Sequence, residues 1–213
     1  MIFSDRDKSY FGGIYKMDFI IIGLIIILTF SYEIFRKIIG KRYFIYIWSL
    51  FIIGIFIFYP RSENLYQYDQ STATYPVLFL GLPIAALVAK NSGYNIRLSK
   101  KSIFNFAVLF PVTEELLFRG IIFSLAASIS EINVGTFSLA AIVSAVAFGI
   151  THLQYHNFKF TDLAQRHILI AFIGGLFMGD LMDNTGFILY PLLIHICFNS
   201  AAVFWSWRKT SNS

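Results

Sequence analysis

The chain has one cysteine, Cys197, five prolines, and only 14% of its 213 residues are charged. A single thiol excludes an internal disulfide and any metal site built on several cysteines. Soluble domains carry about a quarter charged residues, so this composition argues against one. There is no His-Glu-x-x-His pair for a helix-borne zinc site and no Gly-x-Ser-x-Gly nucleophile elbow. Internal repeats, low-complexity segments and long linkers are also missing, which leaves residues 1–213 as a single domain. The first apolar run lacks a small-residue cleavage site and is followed at once by Arg36, Lys37, Lys41 and Arg42. It therefore reads as a retained span and not as a cleaved signal peptide.

What fills the chain is apolar surface: 57% of residues are hydrophobic and 18% aromatic. Crossing the hydrocarbon takes roughly 17–25 apolar residues in a helix. Runs of about that length lie at 19–35, 43–59, 103–129, 136–153, 168–182 and 187–207. A shorter run at 75–89 contains Pro83. These predict an all-α polytopic transmembrane bundle of seven spans in a cell membrane, with lipid as its first partner. The formal charge of +5 does not mark a nucleic-acid binder, because the basic residues fall in short clusters between apolar runs. Twelve of them lie in alternate gaps and the tail: Arg36, Lys37, Lys41, Arg42, Lys90, Arg97, Lys100, Lys101, Lys159, Arg166, Arg208 and Lys209. Four lie on the opposite side: Arg6, Lys8, Lys16 and Arg61. The asymmetry predicts a cytoplasmic C-terminus.

Ionisable groups inside lipid cost a few kcal/mol even on the mildest scale and mark function by default. The run at 103–129 carries Glu114, Glu115 and Arg119. Glu115 and Arg119 are four apart and stack on one helix face within ion-pairing reach. Glu114 sits about 100° round the helix and is left free for chemistry. The run at 136–153 ends in Phe148-Gly149-Ile150-Thr151-His152. In the last run, His195 and Asn199 share a face among apolar neighbours and so point into a bundle. Glu114 lies roughly 16 Å from the start of its span at 1.5 Å per residue, a depth that His195 and Asn199 can match. Asp180 and Asp183 read as solvated helix-end charges. Cys197 lies about 200° round its helix from His195, which argues against a Cys–His nucleophile pair.

A carboxylate in an apolar cavity can act as general base near neutrality and activate a water, with His152 sharing or orienting the proton. His195 and Asn199 are donors that can stabilise a tetrahedral oxyanion. Base, water and oxyanion donors together amount to peptide hydrolysis without a covalent intermediate. Imidazole and carboxylate also suit zinc, so Glu114, His152 and His195 are alternatively metal ligands. A proton or ion transporter would need paired broken helices in two matching halves, which are missing. A non-catalytic membrane partner or immunity protein would keep the network as a structural core.

Glu-Glu-x-x-x-Arg (Glu114, Glu115, Arg119), Phe-x-x-x-His (Phe148, His152) and His-x-x-x-Asn (His195, Asn199), in that order, resemble the CPBP or Abi family. These are the CAAX prenyl protease type 2 and bacteriocin-processing membrane proteases. The stretch from Gly174-Gly175 through Gly179 and Thr185-Gly186 to Pro191 is similar as well, and the likeness covers about residues 100–205. It implies a helical membrane bundle that cuts CAAX-like C-terminal or leader peptides of membrane-associated substrates. It also implies that Glu114 and His152 activate water and that His195 and Asn199 form the oxyanion hole. Both a metalloprotease and a metal-independent glutamate mechanism are attached to the family. Better-known members have eight spans against the seven counted here.

Overall fold

The computed structural model describes residues 18–59, 74–96 and 98–211. Arg6, Lys8, Lys16, Arg61 and Arg97, which enter the orientation count, lie outside them. The described residues form helices joined by short connections, with one short hairpin. Helix α1, Asp18–Thr29, meets α2, Ser31–Ile39, at a 53° bend. The sequence predicts one span at 19–35 and carries no sign of a break there; the bend has its cause on another helix. In an unbroken helix the Glu33 N–H would donate to the Thr29 carbonyl. Instead it donates to Gln154 Oε1 at 3.3 Å, while Gln154 Nε2 donates to the Thr29 carbonyl at 2.8 Å. Thr151 Oγ1 adds a second donor to that carbonyl at 3.2 Å. A side chain inserted into the hydrogen-bond ladder bends the helix.

Helix α3 is Phe44–Phe58 and α4 is Thr74–Asn91 with Pro83 inside it. Helix α5 covers residues 100–129 and starts at Ser99, whose hydroxyl accepts from the Ser102 N–H. It is not uniform: Asn105–Leu109 and Leu116–Ile122 are wide turns with π-type hydrogen bonding. A hairpin of β1, Asn133–Val134, and β2, Phe137–Ser138, leads into α6, Leu139–Tyr155. Helix α7, Asp162–Thr185, is capped by Thr161 at its start and by left-handed Gly186 at its end. Helix α8, Leu189–Ser211, completes the described chain.

The core joins Trp48 and Ile52 of α3, Leu117, Phe118, Ile121 and Ile122 of α5, and Phe148 of α6. Helices α6 and α7 pack along each other through small residues, which lets their backbones approach closely. A Cβ on Gly179 would sit 3.0 Å from Ala141 Cβ, and one on Gly175 would sit 3.1 Å from Ala145 Cα. Helix α8 lies against α4, where Ile194 packs with Ala85 and with Leu181 of α7. The outer surface keeps large apolar groups exposed, among them Phe19, Ile38, Leu50, Leu87, Leu169 and Trp207. An exterior with so many exposed large apolar side chains suits a lipid surrounding.

Among the described residues, α7 and α8 are each long and apolar enough to cross a membrane, and the bent α1–α2 pair makes a third span if counted as one. The count of seven is therefore not reached on length and apolarity. Helices α3 and α6 have 15 and 17 residues, roughly 23–26 Å at 1.5 Å per residue against a hydrocarbon core of about 30 Å. Helix α5 has the length but carries Glu114, Glu115 and Arg119.

Candidate active site

The middle of α5 is pinned before its charges begin. Thr113 Oγ1 lies 2.8 Å from both Ser49 Oγ on α3 and the Leu109 carbonyl, which fixes the turn preceding Glu114. Glu114 (2%), Glu115 (1%) and Arg119 (0%) are then almost wholly withdrawn from solvent. Buried charges must be paired or they unfold the site. Arg119 Nη1 meets Glu115 Oε1 at 3.1 Å, the pair that the four-residue spacing predicts. Arg119 Nη2 donates to the Gly175 carbonyl at 3.3 Å, and the guanidinium sits 4.6 Å from the Phe148 ring centroid. A Cβ on Gly175 would come within 3.3 Å of Nη2, so a side chain there would have to displace the guanidinium or Ala145 by a few tenths of an ångström. Glu115 Oε2 and Arg119 Nε have no hydrogen-bond partner among the described residues.

The division expected between the two carboxylates changes in one respect: Glu114 is not free. Tyr155 O–H donates to Glu114 Oε1. His195 stands between both acids, with Nδ1 2.7 Å from Glu115 Oε1 and Nε2 3.5 Å from Glu114 Oε2. The carboxylate can only accept, so Nδ1 carries a proton and donates to Glu115. Nε2 is thereby aimed at Glu114. The two acids are neighbours in sequence and diverge round the helix, yet one imidazole reaches both because its nitrogens lie on different edges of the ring.

His152 donates its Nδ1–H to the Phe148 carbonyl at 3.1 Å, since a carbonyl can only accept. Its neutral form thus carries the lone pair on Nε2. The His152 ring lies 4.7 Å from Phe148 and 5.1 Å from Tyr155, and Phe148 lies 5.7 Å from His195. Phe148 is accordingly the hub on which Arg119, His152 and His195 all rest. Asn199 points inward but Nδ2 already donates to the Phe106 carbonyl at 2.6 Å, which leaves one amide hydrogen for another acceptor. Cys197 turns its thiol to the Leu82 carbonyl of α4 at 3.6 Å. Asp183 is exposed and Asp180 half-buried.

Zinc would need Glu114, His152 and His195 to converge. Among the described residues no group of three or more His, Cys, Asp or Glu lies close enough to hold a metal ion. Tyr155, Phe148 and Glu115 hold one atom each of Glu114, His152 and His195, and the remaining Glu114 Oε2, His152 Nε2 and His195 Nε2 do not converge on one point as zinc ligands would.

Tyr155 is the residue that sequence reasoning misses. The signal is its place three residues after His152, which puts both on one face of a helix. It hides among twelve tyrosines and twenty-four phenylalanines.

Residues 99–201 match the family model described as Rce1-like, type II CAAX prenyl endopeptidase. Every motif residue from Glu114 to Asn199 lies inside that stretch. No curated protein and no solved structure matches the chain. Over residues 99–201 the chain is thus similar to the Rce1-like type II CAAX prenyl endopeptidases, a family of membrane-embedded proteases.

Proposed function

We propose that the protein is a glutamate-type intramembrane endopeptidase that removes the last residues of prenylated CAAX-type C-terminal peptides. The observation that carries this reading is the arrangement about Glu114: one oxygen held by Tyr155, the other facing His195, in a setting almost closed to bulk solvent. A carboxylate in that setting takes the proton of a water attacking the scissile carbonyl. His152, with its lone pair on Nε2, shares or orients that proton. His195, anchored through Nδ1 to Glu115, turns its Nε2 edge to the developing oxyanion and serves it as an Nε2–H donor, and the remaining Asn199 amide hydrogen supports it. The proton on Glu114 passes to the leaving amine, so the carboxylate is restored and no covalent intermediate forms. In this reading the chain crosses the membrane seven times with its C-terminus in the cytoplasm, where CAAX peptides are exposed.

The test is cleavage of an internally quenched S-farnesyl peptide ending in Cys-aliphatic-aliphatic-X by protein reconstituted in liposomes. Wild type releases the C-terminal tripeptide. Glu114→Gln, which keeps the shape but cannot take the proton, loses at least about a thousandfold in rate. Full activity in Glu114→Gln ends the reading. Loss of wild-type activity in a strong chelator, restored by zinc, moves the mechanism to the metal alternative.

A further inference from the structure

The motifs leave Glu114 with a torsion to spare. Rotation about the last bond of a glutamate is broad and roughly two-fold, so a carboxylate held on one side only presents either oxygen. Here Oε1 is taken by the phenol of Tyr155 and Oε2 is the oxygen turned to His195. We infer that Tyr155 is a positioning residue for Glu114, fixing which of its oxygens faces the His195 imidazole. This rests on the proteolytic reading above.

Tyr155 is itself held from a part of the chain beyond the family match. It is the last residue of α6, and its ring meets Tyr32 of α2 edge-on at 4.5 Å and Phe110 of α5 at 5.9 Å. Tyr32 in turn packs edge-on against Phe44 at 5.1 Å and Trp48 at 5.5 Å of α3. Trp48 Nε1 donates to Ser31 Oγ at 2.9 Å, which ties α3 to the start of α2. The adjacent Gln154 is the residue that bridges the α1–α2 bend. One turn of α6 therefore does two things at once: Gln154 sets the angle of α2, and α2 presents Tyr32 to the back of Tyr155. The N-terminal helices reach the candidate site through this side chain, although none of the motif residues lies in them.

The experiment compares wild type, Tyr155→Phe and Glu114→Gln in liposomes with the same farnesyl peptide. Phenylalanine keeps the ring packed against Tyr32 and removes only the donor. A charge-assisted hydrogen bond is worth enough that kcat should fall about ten- to a hundredfold. KM should stay within about twofold and the yield of folded protein should equal that of wild type. Wild-type kcat in Tyr155→Phe, or a lower yield with kcat per folded molecule unchanged, overturns the inference. If Glu114→Gln is inactive at the same time, the proteolytic reading stands without it. A second readout needs no substrate. The infrared carboxylate band of Glu114, assigned from the difference between wild type and Glu114→Gln, should move in Tyr155→Phe. An unmoved band overturns the inference whatever the protein cleaves.

Discussion

Among the described residues, a carboxamide from a different helix sits at the α1–α2 bend and another at the first wide turn of α5. At the α1–α2 bend, Gln154 takes both halves of one lost backbone bond, accepting from the Glu33 N–H and donating to the Thr29 carbonyl. At the first wide turn of α5, Asn199 donates to the Phe106 carbonyl alone. The difference lies in what the backbone has lost. A bend opens a donor and an acceptor together. In α5 the Phe110 N–H already reaches back to the Asn105 carbonyl. In that register the next N–H, due to Phe106, belongs to Pro111, which has none. Only an acceptor is orphaned there, and a single donor satisfies it. The first repair involves a residue with no part in the motifs. The second uses a motif residue, so Asn199 holds the fold of the helix that carries Glu114, in addition to the role proposed for it in catalysis.

Breaking the two repairs should cost unequally. Gln154→Leu leaves the buried Glu33 N–H without a partner and the Thr29 carbonyl with Thr151 alone. The expected loss is about 2–4 kcal/mol, read as unfolding by denaturant in detergent micelles. Activity per folded molecule should fall too, since α2 no longer presents Tyr32 at its present angle. Asn199→Leu strands one carbonyl and should cost less, about 1–2 kcal/mol, the upper range for an interhelical hydrogen bond in a membrane protein. Its cleavage rate should nevertheless drop roughly a hundredfold, the scale of a lost oxyanion donor. Equal stability losses in the two variants would remove the distinction drawn between them.

How much of this was legible in the sequence follows from the kind of signal each residue leaves. Glu115 with Arg119, and His195 with Asn199, are four apart on apolar helices, and period alone puts each pair on one face. The helical class and the apolar exterior follow from composition. The sharing of His195 by two adjacent glutamates does not, because an ideal helix sends those side chains about 100° apart and only the placement of α8 brings a two-nitrogen ring between them. The bend at Thr29 has no proline or glycine to announce it; its cause, Gln154, is more than a hundred residues away. Tyr155 is one aromatic among many in a chain that is 18% aromatic. The count of seven spans is not confirmed by length and apolarity, because α3 and α6, with 15 and 17 residues, fall short of a hydrocarbon core of about 30 Å.

The smallest expected effect is also the sharpest. Pro111→Ala returns an N–H to the position that the π register of Asn105–Leu109 directs at the Phe106 carbonyl. Alone it should change stability by less than about 0.5 kcal/mol, because Phe106 already has Asn199 and exposes no unpaired group in the wild type. Its value is in combination. In the Pro111→Ala background the carbonyl has an intrahelical donor, so Asn199→Leu should cost less than half of what it costs alone. Residues sharing one partner are expected to be non-additive in this way. The cleavage rate should behave differently: the double variant regains stability but stays as slow as Asn199→Leu, since the new N–H lies within the helix backbone and reaches no oxyanion. A cost of Asn199→Leu that is the same with proline or alanine at 111 would break the link between Asn199 and the wide turn. Recovery of rate together with stability would mean that Asn199 acts only through the fold of α5.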